Sequence, residues 1–294
     1  MAALVFDWFS SISTPMLGVI LLIASLLTGY VGHQLRLRSD RDRKNTGAGL
    51  ASDGQEGYVV SGVLGLLALM LGFTLAMAVD RFDARRVLVL DEANAIGTTY
   101  LRSQLLEEPH RSRMSQLLID YTDNRIELAM APRDEVPGLL VKNDQFLTDI
   151  WAATSAAFDT IKGLDFSSAF LETVNHTIDL DASRKAARLA HVPTEVLIVL
   201  AFYIIVTSGV LGYVLTGVRG QLAGSFLIAL LTFSLSLIID LERPTSGGIL
   251  ESQAPMELLL KSLKSQPPEV FDRWRTVENN PSTENVGQAK AARR

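Results

Sequence analysis

Residues 58–79 read YVVSGVLGLLALMLGFTLAMAV, and residues 80–102 continue without interruption as DRFDARRVLVLDEANAIGTTYLR. The first run carries no charge over 22 residues. About 20 such residues are needed to cross a hydrocarbon core of ~30 Å. Lipid offers no partner to backbone N–H and C=O groups, so a run of this kind crosses as a helix. The second run holds neither proline nor glycine before Gly97, and Leu88, Val89, Ala93, Ile96 and Tyr100 keep a period near 3.6. The spacing therefore predicts one rod that leaves the bilayer as a helix and is ended or bent at Pro109.

Working outward, three more apolar runs appear, at about 14–34, 192–215 and 221–239. The first lacks a basic segment ahead of it and has Arg36, Arg38 and Arg41 behind it, so it reads as a retained span and not a signal peptide. Phe6, Trp8 and Phe9 suit the bilayer interface at its start. The fold class expected is all-α: a polytopic membrane protein with four transmembrane helices and a helical extramembrane domain. The expected divisions are a hairpin of spans over 1–79, the helical domain over 80–191, a second hairpin over 192–241, a membrane-proximal segment over 242–266 and a disordered tail over 267–294.

Between the first two spans, 35–56 reads as a polar loop made flexible by Gly47, Gly49 and Gly54; Thr216 to Gly220 reads as a tight hairpin. In the middle, helices are expected over 111–131, 139–161 and 166–190. Small residues four apart, Ser25 with Gly29, Ser61 with Gly65 and Ser208 with Gly212, allow close approach of helices. Lys and Arg flanking the spans are nearly balanced on the two sides, which leaves both orientations open.

Composition excludes several classes. A net charge of −5 without a basic run interleaved with aromatics argues against nucleic acid. The absence of cysteine removes thiolate chemistry. His33, His110, His176 and His191 lack a metal-ligand spacing, so neither metal nor cofactor is expected. No Walker loop, Gly-x-Ser-x-Gly, HExxH or dinucleotide fingerprint occurs, and the reading is non-enzymatic. Apart from Glu195 near an interface, the spans hold no Asp, Glu, Lys or Arg. An ion-coupled carrier ordinarily needs such a group at mid-membrane.

Two sets of residues stand out. Leu66, Leu69, Phe73 and Met77 share one face of the second span, and an apolar ring of this kind in an oligomer can close a pore by dewetting. The plain alternative is lipid contact or helix packing. Arg81, Arg85, Arg86, Asp91, Glu92 and Arg102 follow; some stand three or four apart and can pair along the helix, or they can line a vestibule.

The stretch from Leu71-Gly72-Phe73 through Arg81-Phe82-Asp83-Ala84-Arg85-Arg86 to Glu92-Ala93-Asn94-Ala95-Ile96-Gly97-Thr98 resembles the bacterial bestrophin-like family of membrane proteins. So does the membrane-exit motif Asp240, Leu241, Glu242, Arg243, Pro244 and Gly247, and the resemblance extends over about 15–265. Relative to bestrophin anion channels, Phe73 and Arg81 have counterparts, whereas Thr245 and Ser246 stand where an acidic-Pro-Phe-Gly block would place Phe. The resemblance implies a homo-oligomer in the bacterial inner membrane that conducts anions passively, with Leu66, Leu69 and Phe73 as its neck and the middle helices in the cytoplasm. The alternative is a membrane-anchored sensing or interaction module whose 80–191 domain binds a partner or ligand.

Overall fold

The computed structural model describes residues 13–46, 53–132, 134–243 and 247–274. They form α1 (Thr14–Thr46), α2 (Asp53–Ser103), α3 (His110–Met130), α4 (Val136–Ile161), α5 (Ser167–Leu189), α6 (Thr194–Val214), α7 (Gly217–Leu241), α8 (Ala254–Ser265) and a short 3-10 turn (Pro268–Asp272), with no strand among the described residues. Stretches of α1, α2, α6 and α7 are long and apolar enough to cross a bilayer. The chain divides into two compact units, Met1–Arg85 with Ala187–Glu251, and Arg86–Ala186 with Ser252–Arg294.

In the first unit, Leu67, Leu71 and Ala78 of α2 pack with Leu197, Leu200 and Ile204 of α6 and Leu231, Leu235 and Ile238 of α7. The register follows from side-chain contacts. The Thr28 hydroxyl donates to the Ile205 carbonyl at 3.1 Å, and two turns on the Arg36 guanidinium lies 5.5 Å from the centre of the Tyr213 ring. Hence α1 and α6 run parallel. His33 meets Gln221 at 3.0 Å while Gly18 faces Ser236 at the other end, so α7 runs antiparallel to α1. Consecutive spans that alternate in direction require this pattern of the first, third and fourth helices.

Two of the small-residue pairs explain the fit. Ser25 and Ser208 are buried, and a Cβ on Gly212 would collide with the Gly29 carbonyl, as one on Gly32 would with that of Gly209. The backbones of α1 and α6 touch here, which is how helices associate in lipid without a hydrophobic drive. The third pair differs: Gly65 has nothing within 4 Å of where a Cβ would stand.

The second unit packs Val89, Ile96 and Tyr100 of α2, Met114, Leu118 and Tyr121 of α3, Ile150 and Ala157 of α4, and Phe170 and Val174 of α5 around one core. Met256 and Leu263 of α8 are buried in the same core. Within the 242–266 segment, Ala254–Ser265 thus form a helix of this unit. Met256, Leu259, Leu260 and Leu263 form an amphipathic stripe, and that stripe places α8 in this unit. Residues 268–272, expected within the tail, form a 3-10 turn packed against this unit. Asp272 accepts from both Arg111 Nη atoms at 2.8 Å, and Phe271 meets Tyr100 edge-on at 6.4 Å. Residues 275–294 lie outside the described residues.

Three boundaries differ from those the sequence suggests. Most of the 35–56 stretch is helix: α1 runs on to Thr46, and α2 starts at Asp53. No glycine or proline interrupts 33–46, and Arg36 pairs with Asp40 one turn on at 3.2 Å. Polarity marked an end to the span there, not to the helix. The 216–220 hairpin shrinks to Leu215 and Thr216, since α7 begins at Gly217. Helix α2 stops at Ser103, ahead of Pro109: the Ser103 hydroxyl and the Gln104 amide both donate to the Tyr100 carbonyl, at 2.7 and 2.9 Å, and occupy a carbonyl that the next turn would have used.

Candidate functional site

With 51 residues, α2 is about 75 Å long at 1.5 Å per residue. Its two sides are distinct. Leu67, Leu71, Thr74, Ala78 and Arg85 recur at helical spacing and are buried. About a third of a turn round, Leu66, Leu69, Phe73 and Met77 are exposed, Phe73 most of all at 64%. Large apolar side chains that the protein itself leaves uncovered need lipid, another copy of the chain, or a narrow pore around them.

Just past the apolar run, α2 is tied to the exit of α7. The Arg85 Nη2 donates to the Leu241 carbonyl at 2.7 Å, and its Nε lies 2.8 Å from the Glu251 carboxylate. Both side chains are at most 5% exposed, so this pair is desolvated. Arg81 lies 3.8 Å from Glu242, whose other contact is the Val192 backbone N–H, donating at 2.7 Å. That bond holds the entry to α6 against the end of α7.

Asp240 closes the turn that follows, accepting from the Gly248 and Ile249 backbone N–H groups at 2.8 and 2.9 Å. A Cβ on Gly247 would stand 2.7 Å from the Asp240 carbonyl and 2.9 Å from that of Arg243, so the turn requires glycine. The Arg243 backbone donates to the Asp240 carbonyl and accepts from Gly247. Pro244 lies outside the described residues. The exit motif is therefore a structural clasp: Asp240 and Glu242 accept backbone N–H groups, and Arg81 and Arg85 lie against it.

Of the remaining residues singled out on α2, Arg86 is exposed. Glu92 is fully buried in the second unit. Instead of pairing along its own helix, it accepts from Tyr121 at 2.6 Å, lies 3.0 Å from Arg125 Nε and is held by Arg184. Arg125 continues to Asp181 at 3.0 Å; Asp181 also takes Asn143 at 3.0 Å and Lys185 at 2.7 Å. Burial pushes the Glu92 carboxyl up, but the charges of Arg125 and Arg184 with their hydrogen bonds hold it below the ordinary glutamate value. A carboxylate so enclosed has no face left for a passing ion. Arg102 donates to the Ala169 carbonyl, and Asp91 is half-buried. The partners of Glu92 stand 33 and 92 residues away, and no local spacing signals them. No group of His, Asp or Glu able to hold a metal ion occurs among the described residues.

An all-helical chain with four bilayer-length apolar helices, one of them running far beyond its apolar stretch, is a polytopic membrane protein. It belongs to the bestrophin-like family, whose domain matches residues 19–255. Its fold is similar to that of a bacterial bestrophin homolog from Klebsiella pneumoniae, with a TM-score of 0.65 at 17% identity over 83% of this chain and 98% of that one. A single-residue variant of that homolog gives 0.65 at 17% identity over 84% and 98%. Comparison with curated proteins finds no match.

Proposed function

We propose that the protein is a passive, oligomeric ion channel in which several copies of α2 surround the pathway, with Leu66, Leu69, Phe73 and Met77 forming an apolar constriction. The observation that carries this reading is the uncovered apolar row on α2, free of charge along its whole length, in a helix that continues well past its apolar stretch. The backbones of α1 and α6 touch and α2 packs with α6 and α7 through apolar side chains, so the pathway is placed between copies. A ring of such side chains dewets when narrow and conducts when water can enter. Family membership supports a channel, and bestrophins themselves conduct anions. Residence in the bacterial inner membrane is part of the same proposal.

Full-length protein in liposomes tests it. Phe73→Ala removes the most exposed ring of the row, touches no buried contact, and is expected to raise ion flux several-fold. Unaltered flux in Phe73→Ala, from protein that is folded and inserted, overturns the constriction. A second reading, the anchored sensing module, is favoured by an open groove of about 540 Å³ in the second unit, lined by Asp123, Ile126, Glu257, Leu260, Lys261 and Lys264. A monomeric mass in detergent together with no flux would select it.

A further inference from the structure

Where α1 leaves its apolar run, its outward side changes from apolar to basic. Leu27, Tyr30 and Val31 are exposed on one side of the helix. Arg38 follows Leu27 by eleven residues and Val31 by seven, and Arg41 follows Tyr30 by eleven, so both arginines continue that stripe. Both are exposed, and neither makes an ion pair among the described residues. At 1.5 Å per residue they stand about 6 and 10 Å beyond Gln34, at the depth of the headgroups that flank a ~30 Å hydrocarbon core.

Helix α7 repeats the arrangement. Leu222, Phe226, Leu230 and Phe233 form an exposed apolar stripe, and Arg219, also exposed, precedes Phe226 by seven residues and Leu230 by eleven. The two helices are antiparallel, and the Gln221 side chain meets His33, so Arg219 stands beside the end of the apolar run of α1. The other charges here are already engaged. Arg36 is buried between Asp40, at 3.2 Å, and the Tyr213 ring, and Asp42 has a contact of its own.

We propose that these outward faces of α1 and α7 bind anionic phospholipid, with acyl chains along Leu27, Val31, Phe226 and Leu230 and the headgroup phosphate at Arg38, Arg41 and Arg219. An apolar stripe that ends in guanidinium groups at one depth, on two neighbouring helices, complements an amphiphile with a negative head. A free phosphate would leave the stripes in water, and a protein partner would have to supply three counter-charges at that depth. The planar guanidinium matches phosphate oxygens two at a time, and basic residues beside the bilayer draw anionic lipids to them.

Thermal unfolding of the full-length protein in one detergent, with phosphatidylglycerol or phosphatidylcholine of the same chain length added, tests this. The wild type is expected to unfold several degrees higher with phosphatidylglycerol, a gap that narrows at high salt. Arg38→Gln, Arg41→Gln and Arg219→Gln combined, all at exposed positions, are expected to remove most of the gap and to leave the phosphatidylcholine midpoint in place; the same three changes to Lys are expected to keep much of it. Inorganic phosphate is expected to give no gain, and a gain equal to that from the lipid overturns the lipid assignment. So does the absence of a gap in the wild type, or a gap that survives the triple Gln change. A triple Gln variant of lower oligomeric mass in phosphatidylcholine places a neighbouring copy on these faces and overturns it as well.

Discussion

Glu92→Ala is expected to destabilise the second unit by about 3–5 kcal/mol, the cost of removing one partner from a buried ion pair. The wild-type site balances two buried carboxylates, Glu92 and Asp181, against two buried guanidinium groups, Arg125 and Arg184. Without Glu92, Arg184 keeps the Gln253 side chain at 3.3 Å but no counter-charge, and the buried Tyr121 hydroxyl loses its acceptor. Glu92→Gln is expected to fall between, since an amide still accepts from Tyr121 but cancels no charge. Replacing Arg184 by Met in the Glu92→Ala background restores the charge balance and recovers part of the loss, a coupling that a double-mutant cycle measures. Denaturant titration of the detergent-solubilised protein, followed by proteolysis at the second unit, checks these values. The pH dependence has a definite sign. The folded carboxyl titrates below the ordinary value of 4.5, so its contribution is complete above that value and is lost as pH falls through the folded one. A Glu92→Ala protein as stable as wild type at neutral pH would remove the network from this role.

The four spans were legible because a bilayer demands length and apolarity together, and the 58–79 run meets both in uninterrupted sequence. The continuation of α2 was legible too, since nothing between Phe73 and Ile96 breaks a helix. The polar half of α1 was not, because 35–46 offers no apolar period: that segment is helical through its propensity, the Arg36–Asp40 pair and the helix already propagating into it. Helix α8 escaped for another reason. Its stripe of Met256, Leu259, Leu260 and Leu263 acquires meaning only from a core assembled out of residues far earlier in the chain, from Val89 to Val174.

For the candidate site the same distinction holds. A row such as Leu66, Leu69, Phe73 and Met77 can be counted on a helical wheel. Which charges are already engaged cannot be counted. Arg85 and Glu92 lie only seven residues apart on one helix, yet Arg85 finds Glu251 in the first unit and Glu92 finds Arg125 and Arg184 in the second. Local spacing suggested pairing along α2, and long-range packing took both residues elsewhere. What the sequence displays as one charged stretch therefore contributes to a clasp through Arg81 and Arg85 and to a core network through Glu92.

Gly212→Ala is expected to cost about 3 kcal/mol or more, at the upper end of what a single added methyl does in a packed interior. The added Cβ would meet the carbonyl and α-carbon of Gly29, which are backbone atoms and cannot rotate away as a side chain would. The helices would have to separate, and the Thr28 bond to the Ile205 carbonyl, which depends on that separation, would lengthen with them. Lipid returns little for the loss, because it is as apolar as the surfaces parted and the contact rests on close packing. Gly65→Ala is the control: the same change in the neighbouring small-residue pair meets nothing within 4 Å and is expected to leave stability within about 0.5 kcal/mol of wild type or raise it slightly, through better helix propensity. Thermal unfolding in one detergent, with wild type and both variants side by side, measures the difference. Equal losses from the two substitutions would show that the crossing of α1 and α6 is not what holds the spans together; a loss confined to Gly212→Ala ties the stability of the membrane-spanning unit to the backbone contact at that crossing.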